Sequence, residues 1–197
     1  MIIKNYEFGK TNFLNNNLFL LYGDNEGYKK EIIDKIDNEL KFKKFLYYES
    51  EIINNTENFY NTILTKSFFE NKKIIIIKKS SDKIKKIIDE IIEKKIEEIM
   101  IIIDAEELTK KSKLRNMFEK ETKLVCVPFY SDNSTSLNII LMNFLKEKKI
   151  SISREIINLL IERSNGSREH LKKELEKIES FLLNKKTLSF EEAQQLT

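Results

Sequence analysis

The first residues in this sequence that could do chemistry follow an apolar run, Leu18–Tyr22, and include two glycines and a lysine. A strand followed by G-x-x-x-x-G-K-S/T forms the loop that holds nucleotide phosphates. Here Gly23 and Gly27 are one residue too close, Tyr28 stands before Lys29, and no Ser or Thr follows to bind magnesium. Gly23, Gly27 and Lys29 therefore indicate a degenerate phosphate loop.

Two acidic residues in the same run argue further against phosphate binding. Asp24 and Glu26 would place negative charges where phosphates lie. The structural alternative is an ordinary helix start, where the helix dipole favours acidic side chains.

Nucleotide hydrolysis also requires a carboxylate that holds the metal ion at the end of an apolar central strand. The apolar run Ile74–Ile77 is followed instead by Lys78 and Lys79, which we interpret as a lost metal-carboxylate position. Asp104 ends the next apolar run. Because no phosphate cradle accompanies it, we expect a capping or surface carboxylate there.

The remaining residue types offer no other catalytic centre. His170 is the single histidine, so no Cys/His metal cluster can form. A Ser-His-Asp triad would have to use it, but it falls in a predicted helix and is interpreted as a solvated helix histidine. Cys126 is the single cysteine, lies in an apolar run and is predicted to be a small buried hydrophobe. We predict no catalytic residue, no metal and no cofactor.

Two adjacent aromatic residues, Phe68 and Phe69, stand in the polar segment Lys66–Lys73. Neighbouring residues point about 100° apart on a helix and to opposite faces on a strand, so one buried face does not easily take both. Either one ring is buried and the other partly covers it, or both protrude as a plug that enters a partner's pocket.

Short apolar runs alternate with helical periodicity from Leu18 to about Phe129. Because runs such as Ile99–Ile103 are apolar on both faces, we predict an α/β fold with a parallel sheet covered by helices. The predicted strands are Leu18–Tyr22, Phe45–Glu49, Ile74–Ile77, Ile99–Ile103 and Leu124–Val127. The predicted helices among them are Asp24–Leu40, Glu57–Lys66, Ser81–Glu93 and Lys111–Lys120.

A polar linker, residues 131–136, separates this region from a helical one. Helices are predicted at Leu137–Lys148, Ser153–Arg163 and Ser167–Leu183, and a fourth begins near Leu188. We predict two domains, residues 1–130 and 131–197, and expect the chain to be cut short at Thr197.

Charge and hydropathy limit the possible partners. The 197 residues carry 35 Lys+Arg against 32 Asp+Glu, a formal net charge of +3, which excludes a strongly basic nucleic-acid binder. No apolar run approaches the roughly 18 residues of a membrane span. A single cysteine fits a reducing compartment. We expect a cytoplasmic protein that does not enter a membrane.

Several segments occur in an order and at spacings that are specific when taken together. These are Leu20–Asp24, Ser67–Phe69 with the strand behind it, Lys111–Arg115, the strand with Cys126 and Pro128, Glu174–Ile178 and Leu188–Thr197. In this arrangement the chain resembles, over essentially its whole length, the delta subunit of the bacterial DNA polymerase III clamp loader.

The resemblance implies an AAA+-like first domain without ATPase motifs, a small three-helix lid domain, and a collar domain that is absent from this sequence. It implies a non-catalytic subunit of a nucleotidyltransferase complex, the DNA polymerase III holoenzyme, that binds the beta sliding clamp and opens it for loading onto primed DNA. The implied partners are the beta sliding clamp and the delta-prime and tau/gamma subunits, with DNA reached through the assembled complex.

The same resemblance implies a clamp-binding role for Ser67, Phe68 and Phe69. They match a Ser-Leu-Phe-like motif whose apolar pair enters a hydrophobic pocket of the clamp, with Phe68 where leucine is usual. The resemblance matches Lys78 and Lys79 to the Asp-Glu pair of active clamp-loader ATPases. It matches Ile99–Ile103 to the sensor strand, so Asp104 is not the counterpart of the metal-holding carboxylate.

In the lid, Gly166-Ser167-Arg168 is similar to a nucleotide-sensing arginine motif. The alignment places Glu169 at the arginine's position, so no role is assigned to Arg168.

Two other function classes remain open at this point. One is an active ATPase of the same superfamily, against which the two lysines at 78 and 79 argue. The other is a nucleic-acid-binding adaptor with a basic face, formed by Lys83, Lys85, Lys86, Lys94 and Lys95. Acidic residues are interleaved with these lysines, which favours a solvated helix surface.

Overall fold

The structure is a computed structural model that describes residues 1–8, 13–65, 72–94, 96, 99–183, 185 and 187–197, with only the backbone of Tyr6 described. It contains two compact units, Met1–Phe129 and Tyr130–Thr197. The first unit holds the sheet and the second is helical.

The strands of the first unit form a five-stranded parallel sheet in the order β2-β3-β4-β1-β5. Their bounds are β1 Leu18–Tyr22, β2 Lys43–Tyr48, β3 Lys73–Ser80, β4 Ile99–Ala105 and β5 Val125–Pro128. The predicted fold class is therefore confirmed. Since all strands run the same way, their carboxyl ends share one edge of the sheet and their amino ends the other.

Both faces of the central strands are buried, as their uninterrupted apolar runs predicted. Every residue of β4 is buried, and the side chains of β3 and β4 alternate between two separate cores. Ile75 and Ile101 face a core built with Phe59 and Phe118, whereas Ile76 and Ile102 face the other. The sheet is thus the middle layer between two layers of helices.

The helices of the first unit are α1 Asn5–Phe8, α2 Glu26–Leu40, α3 Glu49–Asn54, α4 Thr56–Leu64, α5 Lys85–Glu93 and α6 Lys113–Lys120. The helix predicted at Glu57–Lys66 corresponds to α4, whereas α3 was not predicted. Glu49 begins α3 instead of ending a strand. The reason is a buried contact, because the Glu49 carboxylate accepts hydrogen bonds from the Ser81 amide at 2.7 Å and the Ile84 amide at 3.2 Å.

A second carboxylate fixes the start of α6. The Asp82 carboxylate accepts hydrogen bonds from the Ser112 hydroxyl at 2.6 Å and from the amides of Lys113 and Leu114, both at 3.0 Å. Burial would raise the pKa of Asp82, but these hydrogen bonds outweigh it and hold the pKa below its usual value.

The second unit consists of α7 Ser134–Lys148, α8 Arg154–Arg163, α9 Arg168–Leu182 and α10 Phe190–Leu196. Its core includes Leu141, Leu160, Leu171 and Leu175, all fully buried. The fourth helix start near Leu188 becomes α10, which packs on α8 and α9 through the buried Ala193. Within the described ranges, no helix is both long and apolar enough to cross a membrane.

Cys126 lies in β5 with no exposed surface. Burial raises the pKa of its thiol to about 12. Since the thiolate is the reactive form, we expect no reaction of the folded protein with a thiol reagent at about pH 8 and full reaction after denaturation.

Colorimetric thiol titration measures this reactivity, and Ser134→Cys in the exposed first turn of α7 provides a thiol expected to react at once. Rapid modification of the folded protein without that substitution would contradict the burial of Cys126.

Candidate functional site

The candidate site lies at the carboxyl edge of the sheet, where the chain leaves β1. The Gly23 amide donates to the Glu106 carbonyl at 3.1 Å, and the Asn25 amide donates to the Phe129 carbonyl at 3.1 Å. The Phe129 amide in turn donates to the Tyr22 carbonyl at 2.7 Å. The connection from β1 to α2 is therefore held between the ends of β4 and β5.

Gly23 is required by this close passage of two chain segments. Its φ is +123°, and a Cβ placed on it would lie 2.1 Å from the Phe129 carbonyl oxygen. The glycine therefore makes room for protein backbone rather than for a phosphate.

The second glycine of the predicted loop is a helical residue. Because α2 begins at Glu26, Gly27 stands in its first turn and only residues 23–25 separate strand from helix. The Asn25 side chain caps this turn by accepting from the Tyr28 amide at 3.1 Å. The Tyr28 ring packs edge-on against Phe129, with centroids 5.1 Å apart. The connection is too short to surround a phosphate group.

Lys29, the lysine of the degenerate loop, has no exposed surface. Its ammonium lies 2.6 Å from Glu26 Oε1, 2.8 Å from the Ala105 carbonyl and 2.8 Å from Asp104 Oδ1. An ammonium group has three protons, so these three acceptors satisfy it completely. The positive charge of Lys29 is therefore neutralised by groups of the protein and is not available to a phosphate.

Asp104 is buried, and the expectation of a capping or surface carboxylate is wrong. Its side chain is 3% exposed, with Oδ1 on Lys29 and Oδ2 on the Lys78 ammonium. A carboxylate inside an apolar layer needs cationic partners, because an unpaired buried charge is strongly unfavourable. The signal was present in the sequence, since Asp104 interrupts a run that is otherwise apolar.

The two lysines at the lost metal-carboxylate position differ in their surroundings. Lys78 is partly buried and binds Asp104, whereas Lys79 is exposed. Lys79 has a φ of +53°, and the pairing of β3 with β4 shifts between Ile77 and Ser80. At this irregular end of β3, the Lys78 ammonium lies beside the Asp104 carboxylate, in the position from which a metal ion would approach it.

An open cavity of about 700 Å³ lies over these residues. Its lining is Gly23, Asp24, Glu26, Tyr48, Lys78, Lys79, Asp104, Glu106 and Glu107. Among these described residues, carboxylates outnumber ammonium groups by five to two, so the lining does not fit the phosphates of a nucleotide. Nor do any three described His, Cys, Asp or Glu side chains form a group that could hold a metal ion.

In the helical unit, Arg168 is also engaged by a carboxylate. Its guanidinium binds Asp132 through two hydrogen bonds, Nε to Oδ2 at 2.6 Å and NH2 to Oδ1 at 2.7 Å. The two side chains are 9% and 4% exposed. This pair ties the start of α9 to the segment before α7, and nothing in the linker sequence distinguished Asp132 beforehand. The single histidine, His170, is exposed on α9, as a solvated helix residue would be.

The predicted clamp-binding residues Ser67, Phe68 and Phe69 lie outside the described residues. Their described flanks are Thr65, which follows the end of α4 at Leu64, and Lys72, which precedes the start of β3 at Lys73. The segment is therefore connected to the amino edge of the sheet at β3, opposite the edge that carries the cavity.

Replacing Gly23 tests the close passage at the β1 end. We expect Gly23→Ala to lower the free energy of unfolding by about 2 kcal/mol or more, because the added Cβ meets backbone that cannot rotate away. Urea denaturation measures the loss. Gly27→Ala, within α2, serves as the matched control and is expected to be neutral or stabilising by up to about 1 kcal/mol. Equal effects of the two substitutions would contradict this account of Gly23.

Replacing Asp104 tests the buried ion pairs. Asp104→Asn leaves the Lys29 ammonium buried without a countercharge from β4, so we expect a loss of about 3 kcal/mol in unfolding free energy. Glu107→Gln removes an exposed carboxylate from the same cavity and is expected to change stability by less than about 0.5 kcal/mol. A loss for Asp104→Asn no larger than that of the control would show that the pairs do not matter.

The fold is shared with solved structures of low sequence identity. The Bacillus subtilis DNA clamp loader delta protein YqeN matches with a TM-score of 0.62 and 15% identity, over 98% of this chain and 62% of that one. This chain thus spans less than two thirds of the length of that protein. No curated protein matches the chain.

Two further likenesses are to proteins of Thermotoga maritima. Domain III of the replication initiation protein DnaA matches with a TM-score of 0.55 and 13% identity, covering 98% of this chain and 87% of that one. The RuvB Holliday junction branch migration motor matches with a TM-score of 0.57 and 11% identity, covering 91% and 60% respectively. At these identities the likeness shows an AAA+-like fold and nothing more.

Sequence supplies what the fold alone cannot. The family model for the DNA polymerase III delta subunit matches residues 19–128, which include the cavity residues at the carboxyl edge and the segment between α4 and β3. Because this match covers more than half of the chain, the chain belongs to the DNA polymerase III delta subunit family.

Proposed function

We propose that this chain is a clamp-loader subunit that binds the beta sliding clamp and opens it during DNA replication, without turning over nucleotide itself. The observation that carries the proposal is the family match over residues 19–128, because it spans the Ser67–Phe69 segment. Delta-prime and tau/gamma subunits are the proposed partners in the loader, and DNA is reached through the assembled complex.

The proposed lack of turnover is supported by the state of Lys29. In a phosphate loop the lysine binds the nucleotide, whereas here the Lys29 ammonium donates to Glu26 and the Ala105 carbonyl and forms an ion pair with Asp104. Freeing it would leave Asp104 with a single cation inside the protein. Exchange of these partners for a nucleotide is therefore unfavourable, and the cavity lining opposes the phosphate charge as well.

The proposed anchor is the pair Phe68 and Phe69, with Ser67 before it. Aromatic side chains inserted into a partner's pocket supply much of the energy of protein interfaces. Burial of two phenylalanine side chains contributes roughly 3–6 kcal/mol before the costs of association. Such a contribution is large enough to bias a ring between closed and open states if the subunit binds the open state more tightly.

An active ATPase is the less supported alternative, because Lys29 is engaged within the protein and the cavity lining is rich in carboxylates. A nucleic-acid-binding adaptor is also less supported, because two lysines of its proposed face, Lys85 and Lys94, have partners within the protein. Lys85 pairs with Asp89 at 2.5 Å, and the Lys94 ammonium lies 4.1 Å from the centre of the Tyr60 ring. Of that face, Lys95 lies outside the described residues.

The decisive test replaces Phe68 and Phe69 together by alanine and measures affinity for the sliding clamp of the same organism by surface plasmon resonance. We expect binding to weaken roughly 100-fold or more, since both apolar anchors are lost. The matched control is Ile139→Ala with Met142→Ala, two side chains of α7 that are 55% and 47% exposed.

The control variant should bind the clamp as the unsubstituted protein does. A folded Phe68→Ala, Phe69→Ala variant with unchanged clamp affinity would overturn the proposal. Circular dichroism and thermal denaturation establish that both variants are folded.

A further inference from the structure

Lys73, the first residue of β3, is buried at 8% exposure although it is a lysine in a segment of lysines. Its backbone is fixed in the sheet, where it pairs with Lys43 of β2 and Ile99 of β4. Its neighbour Lys72 is exposed. The burial of Lys73 therefore calls for a specific partner.

The partner is the carboxyl end of α4. The Lys73 ammonium donates to the Thr62 carbonyl at 2.8 Å and to the Thr65 carbonyl at 2.6 Å. The last carbonyls of a helix lack N–H donors within the helix and carry the negative end of its dipole, so a buried ammonium satisfies both charge and hydrogen bonding there. The ammonium also lies 5.7 Å from the centre of the Phe45 ring.

These contacts join the two flanks of the clamp-binding segment. Thr65 directly precedes residues 66–71. Lys72 directly follows them, and Lys73 is the next residue. The lysine side chain thus ties the end of α4 to the first residue of β3 across the connection that carries Ser67, Phe68 and Phe69. Thr65 is also held by α4, because the Thr65 amide donates to the Asn61 carbonyl at 3.0 Å.

We propose that Lys73 is a positioning residue for clamp binding, which acts by holding the α4 end against β3 so that the anchor segment is presented from a fixed base. The inference rests on the proposed function, because it concerns the same segment. Fixing the ends of a binding segment before contact lowers the conformational entropy lost on association. Lys73 itself needs no contact with the clamp for this role.

The test compares substitutions at position 73 for affinity to the sliding clamp. Lys73→Met keeps the apolar stem and removes the donors, and we expect it to weaken clamp binding about tenfold. Lys73→Arg keeps charge and donors and should retain binding within about threefold. Lys72→Met, at the exposed neighbouring position, is the matched control and should bind as the unsubstituted protein does.

A second measurement separates positioning from general stability. Hydrogen exchange of the Lys73→Met variant should be faster at the amides of Asn61–Thr65, with no change at central strand amides such as Ile75 and Ile101. Adding Lys73→Met to the Phe68→Ala, Phe69→Ala background should cause no further loss of clamp affinity, because the anchor is already gone. If Lys73→Met does not fold, Lys73→Gln replaces it in every comparison.

The outcomes of this inference and of the proposed function are distinct. Normal clamp binding by the Phe68→Ala, Phe69→Ala variant overturns the proposed function. Loss of binding by that variant together with normal binding by folded Lys73→Met overturns the positioning role alone. A further loss when the substitutions are combined also overturns it, since Lys73 would then act independently of the anchor.

Discussion

The complete burial of β4 is the constraint from which much of the first unit follows. All seven residues from Ile99 to Ala105 are removed from water, because the strand lies inside the sheet with helices on both faces. Asp104 is part of that strand and cannot be solvated, so it requires cations. Lys29 from α2 and Lys78 from β3 supply them, which fixes the first turn of α2 and the irregular end of β3 against the same point.

The two edges of the sheet therefore differ in what they offer a partner. At the carboxyl edge, internal ion pairs occupy the groups that would bind phosphate and metal, and the surrounding cavity is rich in carboxylates. At the amino edge, a buried lysine joins α4 to β3 beside the segment with two adjacent phenylalanines. Under the proposed function, the sheet supports the protein-binding segment at its amino edge, while its carboxyl edge is filled by internal ion pairs.

Much of the fold could be predicted from sequence, because a strand buried on both faces appears as an uninterrupted apolar run. The bounds of β1 match the prediction at both ends, and the centre of β4 follows from an uninterrupted apolar run. What could not be predicted depends on contacts between distant residues. Glu49 begins a helix because its carboxylate caps a turn at Ser81, and Asp132 is buried because Arg168 reaches it. The lysine at 73 resembles its exposed neighbour in sequence, and only the position of α4 distinguishes them.

The ion pairs around Asp104 also have an evolutionary consequence. Lys29, Asp104 and Lys78 depend on one another, so replacing any one alone leaves a buried charge with too few partners. An acidic residue at position 78 would place a second carboxylate beside Asp104 and remove one of its two cations. A metal-binding arrangement at this edge of the sheet would require several such substitutions, each of which is destabilising on its own. The three residues are therefore expected to change together among related sequences, because a substitution of one of them alone destabilises the folded chain.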